Sequence, residues 1–501
     1  MQPSQEERRR SAADLLDRVE QQRPALAGQP DKAHRARLGQ FFTPLVVAQF
    51  MAAQIGGAGE KVTLLDPGAG FGILAAAAVA ELLGRRQPPK SLALTLYELD
   101  EALLGDLAAT LQCCGDVCRK AGVEFFGEVL GRDFIADVAE RRLDPCQSVV
   151  ITNPPYRKLA EGTPQREHLR ALGVEVNNLY AGFLAVATRL LQADGELIAI
   201  TPRSFCNGPY FRAFRQDFLG RMALRQVHLY EARDEAFAAD GVLQENIVIR
   251  AVRNRRLEPV TITTSPRPGA AVQRRRLAPF EQIVRPGDND LVWHLVADEE
   301  EAELMVTMEH QPARLADLGL TVSTGRVVPF RALQHLRANP GAATVPLLYP
   351  QHLSRGRVTW PILGGLRPNA LARCPATEAL LVPNGTYVLV RRLSAKEEPR
   401  RVVAVVHEAR PAQGSAVAFE NHLNYFHADG RPLNRELAYG LAAYLNSTLV
   451  DRYFRLFNGH TQVNATDLRY LRYPTAEKLA ADGRQWLAGV GGAEGVTVHA
   501  G

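Results

Sequence analysis

The chain lacks a long hydrophobic run, a cysteine framework, a repeat of fixed period and a strong charge of either sign, and each absence closes a class of answer. The longest apolar stretch, Ile73–Ala80, stops at Glu81, well short of the roughly 18 residues that span a bilayer. No membrane partner is therefore expected. The N-terminus, MQPSQEERRR, is polar and has no apolar signal core. Six cysteines, at 113, 114, 118, 146, 206 and 374, show no disulfide spacing, and the cluster Cys113, Cys114, Cys118 has no nearby histidine pair to complete a zinc site. A reduced, cytoplasmic protein without a metal is the expectation. A net charge of +5 allows a nucleic-acid partner without requiring one.

What is present is an ordinary globular composition, 46% hydrophobic and 23% charged, over 501 residues. That length implies two domains or more. The first thirty residues read as a loosely helical or flexible extension. From Gly39 to about Arg250 strand-like and helical stretches alternate: strands at Val62–Asp66, Leu92–Glu98, Val149–Thr152, Glu196–Thr201, Val227–Tyr230 and Asn246–Val252, with helices at Gly72–Leu83, Glu101–Cys113, Leu179–Leu191 and Phe211–Leu224. Such alternation predicts a parallel α/β sheet with crossover helices. The expected organisation is a catalytic domain over 31–254, a bridging segment over 255–310 with Arg274–Arg276 as a solvated run, a mixed α+β domain over 311–478, and a flexible tail over 479–501.

The most specific signal is Asn153-Pro154-Pro155-Tyr156, at the exit of the apolar run Val149–Thr152. By average usage a given tetrapeptide occurs about once in 10^5 positions. A carboxamide, two rigid prolines and an aromatic ring at a strand end suit a planar molecule that carries an exocyclic amine. In parallel sheets ligands bind beyond such strand ends.

Upstream, Asp66-Pro67-Gly68-Ala69-Gly70-Phe71-Gly72 puts an acid and three glycines between the first strand and its helix. The glycines let the backbone approach a ligand and expose N–H groups at the helix start. An acid at the head of the loop repels a pyrophosphate but pairs with an ammonium, which favours S-adenosylmethionine over a dinucleotide. Glu98, at the end of the second strand, suits the two hydroxyls of a ribose. Leu99 would flank the adenine ring, and Asp133 would accept from its amino group.

In order along the chain, Gly39-Gln40-Phe41-Phe42-Thr43-Pro44, DPGAGFG, Tyr97-Glu98-Leu99-Asp100, Arg132-Asp133-Phe134 and NPPY resemble the gamma class of N6-adenine DNA methyltransferases of type II restriction–modification systems. The resemblance is strong over residues 36 to 250 and continues more weakly to 475. It implies a class I, Rossmann-like S-adenosylmethionine-dependent methyltransferase domain followed by a C-terminal target-recognition domain. It further implies that Thr43 and Pro44 touch the methionine portion of the cofactor, and that Phe237 stacks on a flipped adenine opposite Tyr156. Double-stranded DNA is then the substrate, and a separate endonuclease cutting the same site is the partner. No nuclease motif stands in the chain itself.

DNA contact needs cations. Arg203, Arg212, Arg215 and Arg221 follow the strand Glu196–Thr201 and are candidates for phosphate contacts. In the C-terminal domain Arg326, His460, Gln462 and Asn464 are types that read base edges. Two other readings share the NPPY signal: methylation of a protein glutamine, and a DNA-binding subunit without turnover. The tetrapeptide alone does not separate adenine N6 from cytosine N4.

Overall fold

The fold is that of a computed structural model, which describes residues 3–27, 39–57, 59–231, 245–254, 256–354, 356–395, 398–409, 414–457 and 462–490. Two compact units divide at Asp298/Glu299.

In the first unit, helices α1 (Gln5–Ala27) and α2 (Leu45–Ala52) precede a series of strands and helices. These are β1 (Lys61–Asp66), α3 (Ile73–Gly84), β2 (Ser91–Tyr97), α4 (Glu101–Lys120), β3 (Glu124–Leu130), α5 (Phe134–Arg141) and β4 (Gln147–Thr152). They continue as α6 (Pro164–Ala171), α7 (Leu179–Leu190), β5 (Leu191–Pro202), α8 (Arg212–Arg221), β6 (Ala223–Tyr230), β7 (Asn246–Val252), β8 (Val260–Ser265) and β9 (Arg274–Ala278). The strands form one nine-stranded sheet in the order β3-β2-β1-β4-β5-β7-β6-β8-β9. β1 to β5 run parallel, and β7 enters antiparallel between β5 and β6. The strand order reverses between β1 and β4, and that reversal opens a crevice at their carboxyl ends. This is the class I, Rossmann-like methyltransferase architecture that the sequence leads one to expect.

Alternate side chains of the buried strands enter different cores, because successive residues of a strand face opposite ways. Leu64 packs with α1 to α4 on one face, whereas its neighbour Leu65 packs with α5, α7 and α8 on the other. α3 is apolar on nearly all sides, with Ile73–Ala80, Leu82 and Leu83 buried, since it lies between the sheet and α1. Ala12, Leu15, Leu16 and Val19 of α1 join that core, and the Arg8 guanidinium donates to the carbonyl of Leu83 at 3.0 Å. The N-terminal segment, expected to be an extension, is thus a packed layer of the first unit.

Two further expectations change. Residues 256–298 belong to the first unit: β8 pairs parallel with β6, and β9 pairs antiparallel with β8. Arg274, Arg275 and Arg276 form most of the outermost strand, where charged side chains discourage pairing with another chain. The second unit starts at Glu299, with a helix over Glu299–Glu309.

The second unit holds a four-stranded sheet, ordered Thr321–Thr324, Leu423–His427, Tyr387–Arg391, Ala404–His407. A five-stranded sheet is built around Thr344–Leu348 and Ala416–Phe419. Within the stretch expected to be a tail, residues 479–490 lie in a helix, Ala476–Val490, packed on the helix Arg435–Leu445. The two backbones approach at a pair of glycines. A Cβ on Gly440 would stand 1.8 Å from the carbonyl oxygen of Leu479, and one on Gly483 would stand 1.8 Å from that of Glu436. No side-chain rotation relieves a clash with backbone. Gly483→Ala is therefore expected to destabilise this unit by about 2–3 kcal/mol or more, read as a lowered thermal midpoint. An unchanged midpoint would mean that the two helices are not in contact in solution.

Candidate active site

The carboxyl ends of β1, β2 and β4, the start of α5 and the segment 39–43 enclose a pocket of about 960 Å³, its open mouth included. Its wall includes Thr43, Pro67, Gly68, Gly70, Glu98, Leu99, Asp133, Asn153 and Pro155, all expected from the sequence.

The glycine loop is bent sharply. Gly70 and Gly72 have φ of 57° and 92°, and a Cβ on Gly72 would lie 2.8 Å from Thr110 Cγ2, so a side chain there meets both strain and α4. Glu98 holds the loop in place. Its Oε2 accepts from the Gly70 N–H at 2.7 Å, while Oε1 accepts from the N–H groups of Leu99 at 2.9 Å and Asp100 at 2.8 Å. Burial pushes the Glu98 carboxyl above its ordinary pKa, although those three donors pull it back. Leu99 is half exposed at the mouth. Asp133 caps α5 through Oδ1, which accepts from Ala136 N–H, and its Oδ2 accepts from the Gln165 amide at 3.3 Å.

Asp66 lies behind the loop, fully buried and outside the pocket wall. Its Oδ1 accepts from Gly68 N–H at 3.3 Å, and its Oδ2 is buried with no hydrogen-bond partner. Burial is the main cause of a carboxyl pushed up to about 8. A carboxyl with a folded pKa near 8, against an ordinary 3.8, binds its proton more tightly in the folded chain. Its stabilising contribution is complete below the lower value and is lost as pH rises through the upper one. In the absence of ligand, wild-type stability should thus fall between pH 4 and 8 more steeply than that of Asp66→Asn. Thermal melts across that range measure the difference, and parallel curves for the two proteins would refute it.

At the end of β4 the Asn153 amide is oriented by the strap Gly39–Thr43. Its Nδ2 donates to the Phe41 carbonyl at 2.9 Å and to Thr43 Oγ1 at 3.1 Å. With both N–H groups engaged, the amide oxygen is the group left over, and Oδ1 is buried with no hydrogen-bond partner. Gly39 closes the strap: its carbonyl accepts from Tyr156 N–H at 3.1 Å. With φ of 71°, a Cβ there would press on the Tyr156 backbone at 3.1 Å. The Tyr156 ring packs against Phe41 (centroids 5.4 Å apart) and Tyr180 (6.1 Å), and its hydroxyl donates to the Ile200 carbonyl at 3.3 Å. Burial holds that phenol well above its usual range.

Pro44 caps α2 and borders a separate depression with Val46 and residues 267–270. Pro154 and Tyr156 lie next to the pocket wall rather than in it. Phe237 and His460 fall outside the described residues. Phe41, Phe42 and Phe183 line the pocket and were not singled out from the sequence. Phe41 and Phe42 stand inside the motif Gly39–Pro44, whereas Phe183 lies on a helix whose pattern signals only burial.

The cationic candidates separate by environment. Arg203 faces Glu245 at 3.4 Å, and Arg221 faces Asp217 at 3.2 Å. Arg215 is fully buried and donates to the carbonyls of Phe205, Asn207, Gly208 and Asp290, so no phosphate reaches it. Arg212 is exposed, with no ion pair among the described residues. In the second unit Arg326 donates to the carbonyls of Ala379 and Leu381, while Gln462 accepts from Arg392 at 3.3 Å. Asn464 caps the helix Ala465–Tyr470.

Comparison with known proteins agrees with this architecture. Residues 147–237 match the model of the Eco57I restriction-modification methylase family. The chain is 43% identical over 456 residues to the Type II methyltransferase M.PstI of Providencia stuartii, covering 90% of this chain and 89% of that one. It is 40% identical over 485 residues to the Type II methyltransferase M.BsuBI of Bacillus subtilis, covering 94% of each. Among solved structures, the chain of a cryoEM DrdV–DNA complex shares the fold with a TM-score of 0.50 at 14% identity, over 91% of this chain and 58% of that one. No helix among the described residues is long and apolar enough to cross a membrane. The chain belongs to the Type II methyltransferases of restriction–modification systems.

Proposed function

We propose that this chain transfers a methyl group from S-adenosylmethionine to the N6 of an adenine flipped out of double-stranded DNA, at a specific site that a separate endonuclease of the same system cuts. The observation that carries the reading is the Asn153 amide: both its N–H groups are engaged by the strap, which leaves a buried, unpartnered acceptor beside the pocket.

The pocket residues fit the cofactor. The loop 67–70 lets its backbone come close, Glu98 and Leu99 line the pocket where a ribose and an adenine would be held, and the buried Asp66 carboxyl, which holds its proton at neutral pH in the empty pocket, would ionise once an ammonium stood near it. Asp66 would act on that ammonium from behind the loop, by the charge it gains on ionising and by holding Gly68. The cofactor supplies an electrophilic methyl on a positively charged sulfur.

An adenine amine is a poor nucleophile because its lone pair is delocalised into the ring. Asn153 Oδ1 and the Pro154 carbonyl accept its two hydrogens and draw the nitrogen towards tetrahedral geometry. The freed pair forms the N–C bond as the methyl leaves sulfur with its bonding electrons on sulfur. The nitrogen then sheds a proton through the same acceptors, so no residue has to remove one beforehand. The chain contributes position and preplaced acceptors for developing positive charge. Flipping costs a few kcal/mol, and stacking on Tyr156 offsets about 1–3 kcal/mol of it. The second unit is the target-recognition domain.

Transfer of labelled methyl from S-adenosylmethionine to DNA, followed by digestion to nucleosides, tests the assignment. N6-methyladenine is expected. N4-methylcytosine would correct the base, label on protein alone would favour glutamine methylation, and duplex binding without label would favour a non-catalytic subunit. Tyr156→Ala should lower kcat/KM for DNA about tenfold or more, whereas Tyr156→Phe, which keeps the ring, should cost less than about fivefold. Equal losses would remove stacking as the role of Tyr156.

A further inference from the structure

Residues 318–377 contain seven arginines and not one aspartate or glutamate. Arg326, Arg331, Arg337, Arg357, Arg367 and Arg373 are all exposed, and of these only Arg373 has a carboxylate partner, Glu378, among the described residues. A stretch of sixty residues that brings seven cations and no anion of its own complements a polyanion.

In the middle of this tract lies the loop Pro361-Ile362-Leu363-Gly364-Gly365-Leu366-Arg367. Leu366 is fully exposed and Leu363 is 70% exposed, whereas Ile362 and Pro368, which flank them, are half-buried. Two apolar side chains held out in solvent three residues apart, within a cationic stretch, fit an interaction site.

The base of the loop is rigid. Buried Asn369 accepts at Oδ1 from Ile362 N–H at 2.9 Å and from His352 Nε2 at 3.1 Å, and its Nδ2 donates to the carbonyls of Ile362 and Ala338, each at 2.9 Å. The direction of the His352 bond is set at the other ring nitrogen: Nδ1 accepts from Tyr349 N–H at 2.9 Å, so Nε2 carries the hydrogen. Trp360 Nε1 donates to the Asn369 carbonyl at 2.7 Å. Asn369 therefore holds both ends of the loop and the neighbouring strand, leaving the residues from Leu363 to Arg367 as a projecting tip.

We infer that this tip is an apolar wedge that enters the DNA duplex, with Leu366 and Leu363 inserted at a base step while the surrounding arginines hold the phosphates. Apolar side chains that part a base step are known to kink and unwind DNA. The inference rests on the proposed DNA substrate and deepens it, since it assigns how the second unit deforms that substrate.

The test uses the full chain, Leu363→Ser/Leu366→Ser and Arg367→Ala. Both sets of positions are on the surface, so folding should be retained, and a thermal melt checks that. The probe is relaxed closed-circular plasmid DNA, incubated with protein, religated by a topoisomerase and stripped of protein. Wild type should leave negatively supercoiled plasmid. The double leucine variant should lose that unwinding and bind a linear fragment of the same plasmid about 10–100-fold more weakly, with the slope of affinity against salt unchanged. Arg367→Ala should instead flatten the salt slope by about one. Unwinding and affinity equal to wild type in the leucine variant would overturn the wedge while leaving the proposed DNA substrate intact. A change of oligomeric state with unchanged DNA binding would overturn it in favour of a second copy as occupant. Absence of DNA binding by wild type would remove the underlying reading.

Discussion

Asn153→Ala should lower kcat for methyl transfer by about 10^2–10^3-fold, the usual effect of deleting one preplaced polar group that meets developing charge. The KM for S-adenosylmethionine should move by less than about fivefold, because the lost acceptor matters only as the amine becomes charged. The variant also leaves the Phe41 carbonyl and Thr43 Oγ1 without the donor they now share, at a cost of about 1 kcal/mol of stability. Single-turnover kinetics with saturating cofactor separates the two effects. A kcat within threefold of wild type would require another group to activate the amine, and the mechanism above would fail.

Glu98→Ala should have the larger effect on cofactor binding. The side chain is nearly buried and accepts from three backbone N–H groups at once, those of Gly70, Leu99 and Asp100. Removing it strands three donors and lets the glycine loop drift. A stability loss of about 2–4 kcal/mol is expected, together with a rise of about 10^2-fold in the dissociation constant for S-adenosylmethionine. Glu98→Gln keeps one acceptor oxygen and should lose less of both. Calorimetric titration and thermal melts report the two quantities. If Glu98→Ala melted late and bound cofactor normally, Glu98 would hold neither loop nor ribose.

The parts of the fold legible in the sequence were those where local pattern and tertiary environment coincide. β1, β4 and β7 are apolar runs between turns, and buried strands need little else. β3 was missed because Glu124, Gly127 and Glu128 interrupt its hydrophobic signal; it is a sheet edge, exposed on much of its surface, where burial imposes no pattern. β8 and β9 fall in the expected bridging segment for a related reason: the arginines of β9 suit an edge strand but look like a solvated run. The helix Ala476–Val490 has the composition of a tail, yet its small residues permit the close approach at Gly440 and Gly483. Arg215 was a phosphate candidate by type and is instead enclosed by carbonyls, a distinction that only the chain's path draws.

By itself the sequence determined the chemistry available: a carboxamide after a buried strand, an acid and glycines before a helix, and a second acid one β-α-β unit later. These follow from residue types at short spacing, where each residue's neighbours are set by the covalent chain. Tertiary structure decided which of those groups are free to act. The strap 39–43 reaches Asn153 across more than a hundred residues and engages its N–H groups rather than its oxygen, and the closing of the loop over Asp66 leaves that carboxylate one buried, unpartnered oxygen. Hydrogen-bond partners and desolvation at such separations depend on how the layers pack, which short-range pattern does not encode.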